Sequence, residues 1–174
     1  MSIRVSTKEV RFTYANLAEA RAIVPGGDEK YQMTIIIPKD DNDNIDILNY
    51  AIKKAYDEDE GQHLTKGGKV HKPELDNIPQ PVKDGDMEMD NEIYKNHYFI
   101  NLSSKWQPQV VNDKLEDIKP EEVYSGCYGR VSINFYTYNS GGRRGIGCSL
   151  GNVQMTRDGE RIGGKRRTAA DDFS

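Results

Sequence analysis

The chain has 174 residues, 36% hydrophobic and 30% charged, with a formal net charge of −4 and a mean hydropathy of −0.79. That length suits one domain with a real core and a loop or chain end to spare. No apolar run approaches the roughly 20 residues that span a bilayer, so a membrane protein is not expected. The two cysteines form no closely spaced pair, and Met1 leads into alternating residues without an apolar signal segment, which points to a reducing cytoplasm. The net charge conceals two segments of opposite sign. Residues 40–60 hold eight acids against Lys53 and Lys54, whereas residues 124–167 hold eight Lys or Arg against Asp158 and Glu160. An acidic total argues against a nucleic-acid partner, yet a local basic stripe supplies the phosphate attraction that the total hides.

In chain order, Val10, Phe12 and Tyr14 alternate with Arg11 and Thr13, and Tyr31, Met33, Ile35 and Ile37 alternate with Gln32 and Thr34 up to Pro38. Both runs predict half-buried strands. From residue 44 to 56 the period becomes helical, with Ile45, Leu48, Ile52 and Ala55 or Tyr56 on one face and Asp43 or Asn44 placed to cap the first turn. Residues 61–96 keep neither period and are rich in Gly, Pro, Lys and Asp, which predicts a long surface excursion with room for short strands inside it. Alternation returns with Tyr98, Ile100 and Leu102. Lys105 and Trp106 follow, a cation beside an aromatic and a candidate stacking site unless Trp106 anchors the core, and then the short pair Val110 and Val111.

Residues 127–138 and 143–150, joined by Asn139, Ser140, Gly141 and Gly142, predict a hairpin with a four-residue turn. On its first strand Cys127, Val131, Ile133 and Phe135 share one face, while Tyr128, Arg130, Ser132, Asn134, Tyr136 and Tyr138 share the other. Tyrosines are good strand formers and often merely cover a sheet exterior. Here they coincide with an arginine, with Arg143 and Arg144 at the tip, and with Gly145 and Gly147, which lighten the second strand for close approach of a ligand. Rings for base faces and cations for phosphates are what a platform for unpaired bases needs.

Catalytic and metal motifs are scarce. Asp84, Asp86, Glu88 and Asp90 alternate like a calcium loop, but Met89 stands at the glycine position and Lys95 where the glutamate belongs. A magnesium-dependent nuclease built on these acids stays an alternative, as does a protein-interaction adaptor without DNA binding. No zinc spacing, phosphate loop or nucleophile with a paired base is present, so neither an enzyme nor a cofactor is predicted. The chain ends with the basic run Lys165, Arg166, Arg167 after two glycines, then Asp171, Asp172, Phe173 and Ser174. So polar an end cannot bury enough apolar surface to order itself, which leaves Phe173 available to a partner's pocket.

The residues also carry a resemblance. Tyr14, Ala15 and Asn16, the run 30–39, the run Pro81, Val82, Lys83, Asp84, Gly85, Asp86, and the blocks 97–101, 103–105, 121–128, 134–139, 152–154 and 157–160 resemble the bacteriophage single-stranded DNA-binding proteins of OB-fold type, a family long labelled only a domain of unknown function. The resemblance implies a mostly β chain: an OB-fold five-stranded barrel with one amphipathic helix, long loops and a flexible acidic C-terminal tail. It divides the chain into a DNA-binding domain, residues 1–162, and a basic hinge with an acidic aromatic tail, residues 163–174. The tail resembles those of podovirus and bacterial single-stranded DNA-binding proteins, but is shorter and places Ser174 after Phe173. The expected function is binding and protection of single-stranded DNA without strong sequence preference during phage replication, recombination or repair, in the bacterial host cytoplasm. The expected DNA-binding residues are Lys105, Trp106, Tyr128, Arg130, Tyr136, Tyr138, Arg143 and Arg144, with Asp171, Asp172 and Phe173 recruiting replication or recombination proteins.

Overall fold

The computed structural model describes residues 2–22, 24–60, 63–65 and 72–162. Within them the elements run β1 (Ile3–Ser6), β2 (Val10–Ala22), β3 (Glu29–Pro38), α1 (Asn42–Glu58), β4 (Lys83–Asp84), α2 (Gly85–Glu88), β5 (His97–Ser104), β6 (Val110–Val111), β7 (Tyr128–Ser140) and β8 (Arg143–Arg157). The strands form one sheet in the order β4-β5-β3-β2-β7-β8-β6, with β1 paired alongside β7. The class is mostly β with one main helix, as expected, but the strands number eight where five were expected, because three pieces of two to four residues extend the frame. The five long strands stand consecutively as β5-β3-β2-β7-β8. Although β5 and β8 are far apart along that path, they pack against each other without a shared ladder. The sheet therefore curls around its core and stays open along one seam, where the Cys148 thiol donates to the Asn101 carbonyl at 3.7 Å.

Alternation sets the core. On β7 the side chains of Val131, Ile133 and Phe135 are fully buried with Met33, Ile35 and Ile37 of β3 and Ile100 and Leu102 of β5. The helix turns Leu48, Ala51, Ile52 and Ala55 inward and packs on β1 and β7. Its cap is Asp41, two or three residues ahead of the expected Asp43 or Asn44, and its carboxylate accepts the Asn44 N–H at 3.2 Å. Asn44 is instead buried, donating to the Glu9 carbonyl at 3.2 Å and accepting the Lys8 N–H at 2.8 Å, which fixes the helix start to the β1–β2 turn. The hairpin turn is also tighter than expected. Pairing continues to Ser140 opposite Arg143, leaving Gly141 (φ 60°) and Gly142 (φ 90°) as a two-residue turn with positive φ at both positions, the combination a type I′ turn requires and glycine allows.

Within residues 72–96 of the excursion, β4 and α2 are held by side chains. Lys39 Nζ sits 2.8 Å from both Asp84 and Asp86, and the Asp86 carboxylate accepts the Asn96 N–H at 3.1 Å. Gly85 is packed against the Tyr94 and His97 carbonyls so tightly that a Cβ would collide with both. Above it a second small core joins Ile36, Tyr94 and Phe99, the two rings edge-on at 5.2 Å. This cluster covers one end of the outer face of β3 and β5.

Candidate nucleic-acid interface

The outward face of β7 carries the predicted residues, but the structure gives them different duties. Ten residues separate Tyr128 from Tyr138, roughly 33 Å of strand at about 3.3 Å per residue, so the two rings stand at opposite ends. Tyr128 is already occupied: the Arg157 guanidinium lies 3.7 Å from its ring centroid, Arg11 lies 5.5 Å away, and Arg157 is held in turn by Glu9 at 2.8 Å. Arg130 is exposed, with Nε donating to the Thr7 carbonyl at 2.8 Å. With Arg4, whose Nη2 donates to Ser132 at 3.0 Å, it lines a shallow groove of about 340 Å³ along β1, β7 and β8 that no carboxylate enters.

At the hairpin end, Tyr136 and Tyr138 lie across Gly147 and Gly145, their register partners on β8. The glycines seat the neighbouring rings, whereas their sequence context suggested room for a ligand's approach. Tyr136 keeps 36% of its surface exposed, and burial of the rest raises its phenol above the ordinary tyrosine range. Arg143 is exposed at the tip. Arg144 instead donates from Nη1 to the Leu64 carbonyl at 3.0 Å, and Asn139 Nδ2 to the His63 carbonyl at 3.2 Å, lashing the hairpin to the segment after α1. Lys105 and Trp106 follow β5 on the surface. Trp106 is 81% exposed and is not a core anchor.

The outer face of β2, β3 and β5 adds residues that the sequence reading missed. Tyr14 sits at a bulge in β2, at φ 47° and 58% exposed, where the pairing with β3 slips between Thr13 and Asn16. Beside it Asn16, Gln32, Thr34, Asn101 and Ser103 line a polar cleft of about 320 Å³. On its other side a cleft of about 510 Å³ reaches Tyr124 and Arg161. Asn101 touches Cys148, which adjoins Gly147 under Tyr136. A polar band therefore runs across β2, β3 and β5 from Tyr14 through Thr34 to Asn101, with Trp106 beyond the end of β5 and Tyr136 on the far side of the β5–β8 seam. A surface tyrosine at positive φ has no sequence signature, although Tyr14, Ala15 and Asn16 did belong to the resemblance.

The acids of the excursion are not arranged as a metal centre. Among the described residues no three His, Cys, Asp or Glu side chains come together as a ligand set. The Lys39 ammonium bonded to Asp84 and Asp86 holds both carboxyls below the usual range. Asp171, Asp172 and Phe173 lie outside the described residues.

Comparison with known proteins is decisive for the family. The profile described as Enterobacter phage Enc34, ssDNA-binding protein, matches residues 3–174. The chain belongs to this family. "Putative protein p50" of Acyrthosiphon pisum secondary endosymbiont phage 1 is 26% identical over 174 residues, covering 98% of this chain and 92% of the relative. Among solved structures, the single-stranded DNA-binding protein of bacteriophage Enc34 in complex with ssDNA superposes with a TM-score of 0.75 at 23% identity, over 92% of this chain and 89% of that one. The bacteriophage T7 single-stranded DNA-binding protein gp2.5 gives 0.63 at 12% identity, over 95% and 97%. These structural likenesses establish a shared fold.

Proposed function

We propose that this protein binds single-stranded DNA with little overall sequence preference, during phage DNA replication, recombination or repair in the bacterial host cytoplasm. The observation that carries the reading is the polar band, bordered by the exposed rings of Tyr14, Trp106 and Tyr136, on a chain of this family. Rings stack on any base, and unpaired cations such as Lys105, Arg130 and Arg143 follow the phosphates; among the described residues these three have no carboxylate within salt-bridge distance. Tyr128 and Arg144 are engaged with other groups of the protein, the Arg157 guanidinium and the Leu64 carbonyl. No reaction is part of this function, and no helix among the described residues is long and apolar enough to cross a membrane.

The test is a titration of oligo-dT, duplex DNA and single-stranded RNA at two salt concentrations, following Trp106 fluorescence. Tighter, salt-sensitive binding of oligo-dT is expected. Magnesium-dependent cleavage of the strand would favour the nuclease alternative, and absence of binding the adaptor. Residues 1–162 form the binding unit and 163–174 a tether. Supporting the tether is the end of the described chain: the Ile162 N–H bonds the Ser125 carbonyl at the rim of the Tyr124 cleft, so the tail starts beside the interface. Its twelve residues reach up to about 40 Å. Asp171 and Asp172 compete weakly with DNA for the basic surface, and Phe173 engages a replication or recombination protein. Deleting residues 171–174 tightens oligo-dT binding at low salt and abolishes partner pull-down; unchanged values in both assays refute the tail's role.

A further inference from the structure

Tyr14 divides two clefts that share it and Asn16 as a wall, and the larger of them is built more closely than stacking alone requires. The ring is held outward by a backbone at φ 47°, a region that side-chain-bearing residues rarely adopt and that persists where the surroundings enforce it. Opposite stands Tyr124, with the Arg161 guanidinium 4.3 Å from its ring centroid. Its hydroxyl donates to Asp158 at 2.7 Å and accepts the Gly159 N–H at 3.1 Å, so this ring too is fixed.

Between the walls lie polar groups with capacity to spare. The Asn91 side-chain oxygen accepts the Ile93 N–H at 3.1 Å, leaving its NH2 without a partner among the described residues. Asn16 Nδ2 faces the Tyr14 carbonyl at 3.4 Å, leaving its oxygen free in the same sense. Ser125 Oγ accepts the Ala15 N–H at 3.3 Å and keeps its own proton to donate. A donor amide, an acceptor amide and a hydroxyl between two fixed rings form a set that reads the edge of an unstacked base.

We propose that this cleft takes one base of the bound strand out of the stack, between Tyr14 and Tyr124, and reads its edge with Asn16, Asn91 and Ser125. Tyr14 is the wedge that parts this base from its neighbour in the Gln32–Asn101 cleft, and Arg161 gives up its place over the Tyr124 ring to the base and meets the phosphate. The interface then has one discriminating position within a surface otherwise indifferent to sequence. The proposal rests on the single-stranded DNA reading above.

Thymine and cytosine make the test, because they are alike in size but opposite in donor and acceptor at their paired edge. With the full chain, oligo-dT and oligo-dC should differ in Kd by roughly 3- to 10-fold, the worth of one hydrogen bond. The double variant Asn16→Ala with Asn91→Ala should bring the two within about twofold while still binding both. Tyr14→Ala should weaken both, and Tyr14→Phe should match the parent. Independently of any variant, 5-iododeoxyuridine in oligo-dT should photo-cross-link to Tyr14 or Tyr124. Equal affinity for the two oligonucleotides, or cross-links confined to other residues, overturns the one-base site while leaving strand binding intact. Failure to bind either oligonucleotide overturns the strand-binding reading itself.

Discussion

Gly147→Ala should weaken single-stranded DNA binding while leaving the fold in place. A Cβ at this position would stand 2.8 Å from Tyr136 Cε2 and 2.9 Å from Cζ, closer than real Cβ atoms come, so the ring must swing off the strand. The ring is not removed, only its seat. Re-ordering one such side chain on binding costs about 0.5–1.5 kcal/mol, or roughly 2- to 12-fold in Kd. Tyr136→Ala instead removes the stacking surface, worth about 1–3 kcal/mol, or roughly 5- to 150-fold. It also costs stability. Tyr136 is 36% exposed, so nearly two-thirds of it is covered. With about 200 Å² for an aromatic side chain and about 25 cal/mol per Å², the lost burial is at most about 3 kcal/mol. The expected order is therefore parent, Gly147→Ala, Tyr136→Ala, both in oligo-dT affinity by fluorescence anisotropy and in thermal midpoint. If both variants bind like the parent, the ring is not at the interface and the binding surface does not extend across the β5–β8 seam to Tyr136.

Arg130→Ala should lower the slope of log K against log salt for single strands by about 0.7, one phosphate's worth; an unchanged slope would assign Arg130 to the Thr7 carbonyl alone. Asp84 and Asp86 are held below the usual carboxylate range, first by their bonds to Lys39. Because the folded values lie below the unfolded ones, their stabilisation is complete above about pH 4 and fades as pH falls through the folded values. Lys39→Met should thus flatten the acid limb of thermal midpoint against pH, and an unaltered limb would show that the clip contributes nothing there. Burial pushes the Cys148 thiol up to about 12 and raises Cys127 as well, so neither should alkylate with iodoacetamide at pH 8 until guanidinium is added. Rapid labelling of Cys148 in the native protein would mean that the β5–β8 seam opens readily.

The inward and outward sets of β3, β5 and β7 were legible because a half-buried strand writes its faces into a period of two. The helix was legible for the same reason at its own period. Partners were not: nothing in the local sequence says that Arg157 will cover Tyr128, that Arg144 will hold the Leu64 carbonyl, or that Gly147 will seat Tyr136. Those are contacts between residues far apart in the chain, and each diverts a residue whose type alone suggested a ligand. Tyr14 shows the opposite failure. Its alternation with Phe12 suggested an ordinary strand position, while the bulge that turns it outward depends on register with β3. The short elements inside the excursion could not be placed for a related reason, since Lys39, Asp84, Asp86 and Asn96 impose order through side chains where the backbone has no period.

The pairing of β1 with β7 also bears on how the protein is made. Ile3 lies opposite Phe135, and Ser6 opposite Ser132. During synthesis at roughly 5–20 residues per second, the first strand emerges and then waits roughly 6–26 seconds for the segment that completes its ladder. Throughout that interval α1 lacks β7, one of the two strands it packs against, and Ile3 and Val5 have no sheet to join. Assembly must therefore finish after most of the chain has left the ribosome, with non-local pairing setting a slow pace. Lower growth temperature or a bacterial chaperone supplied in excess should raise the soluble yield of this protein more than that of a helical protein of equal length.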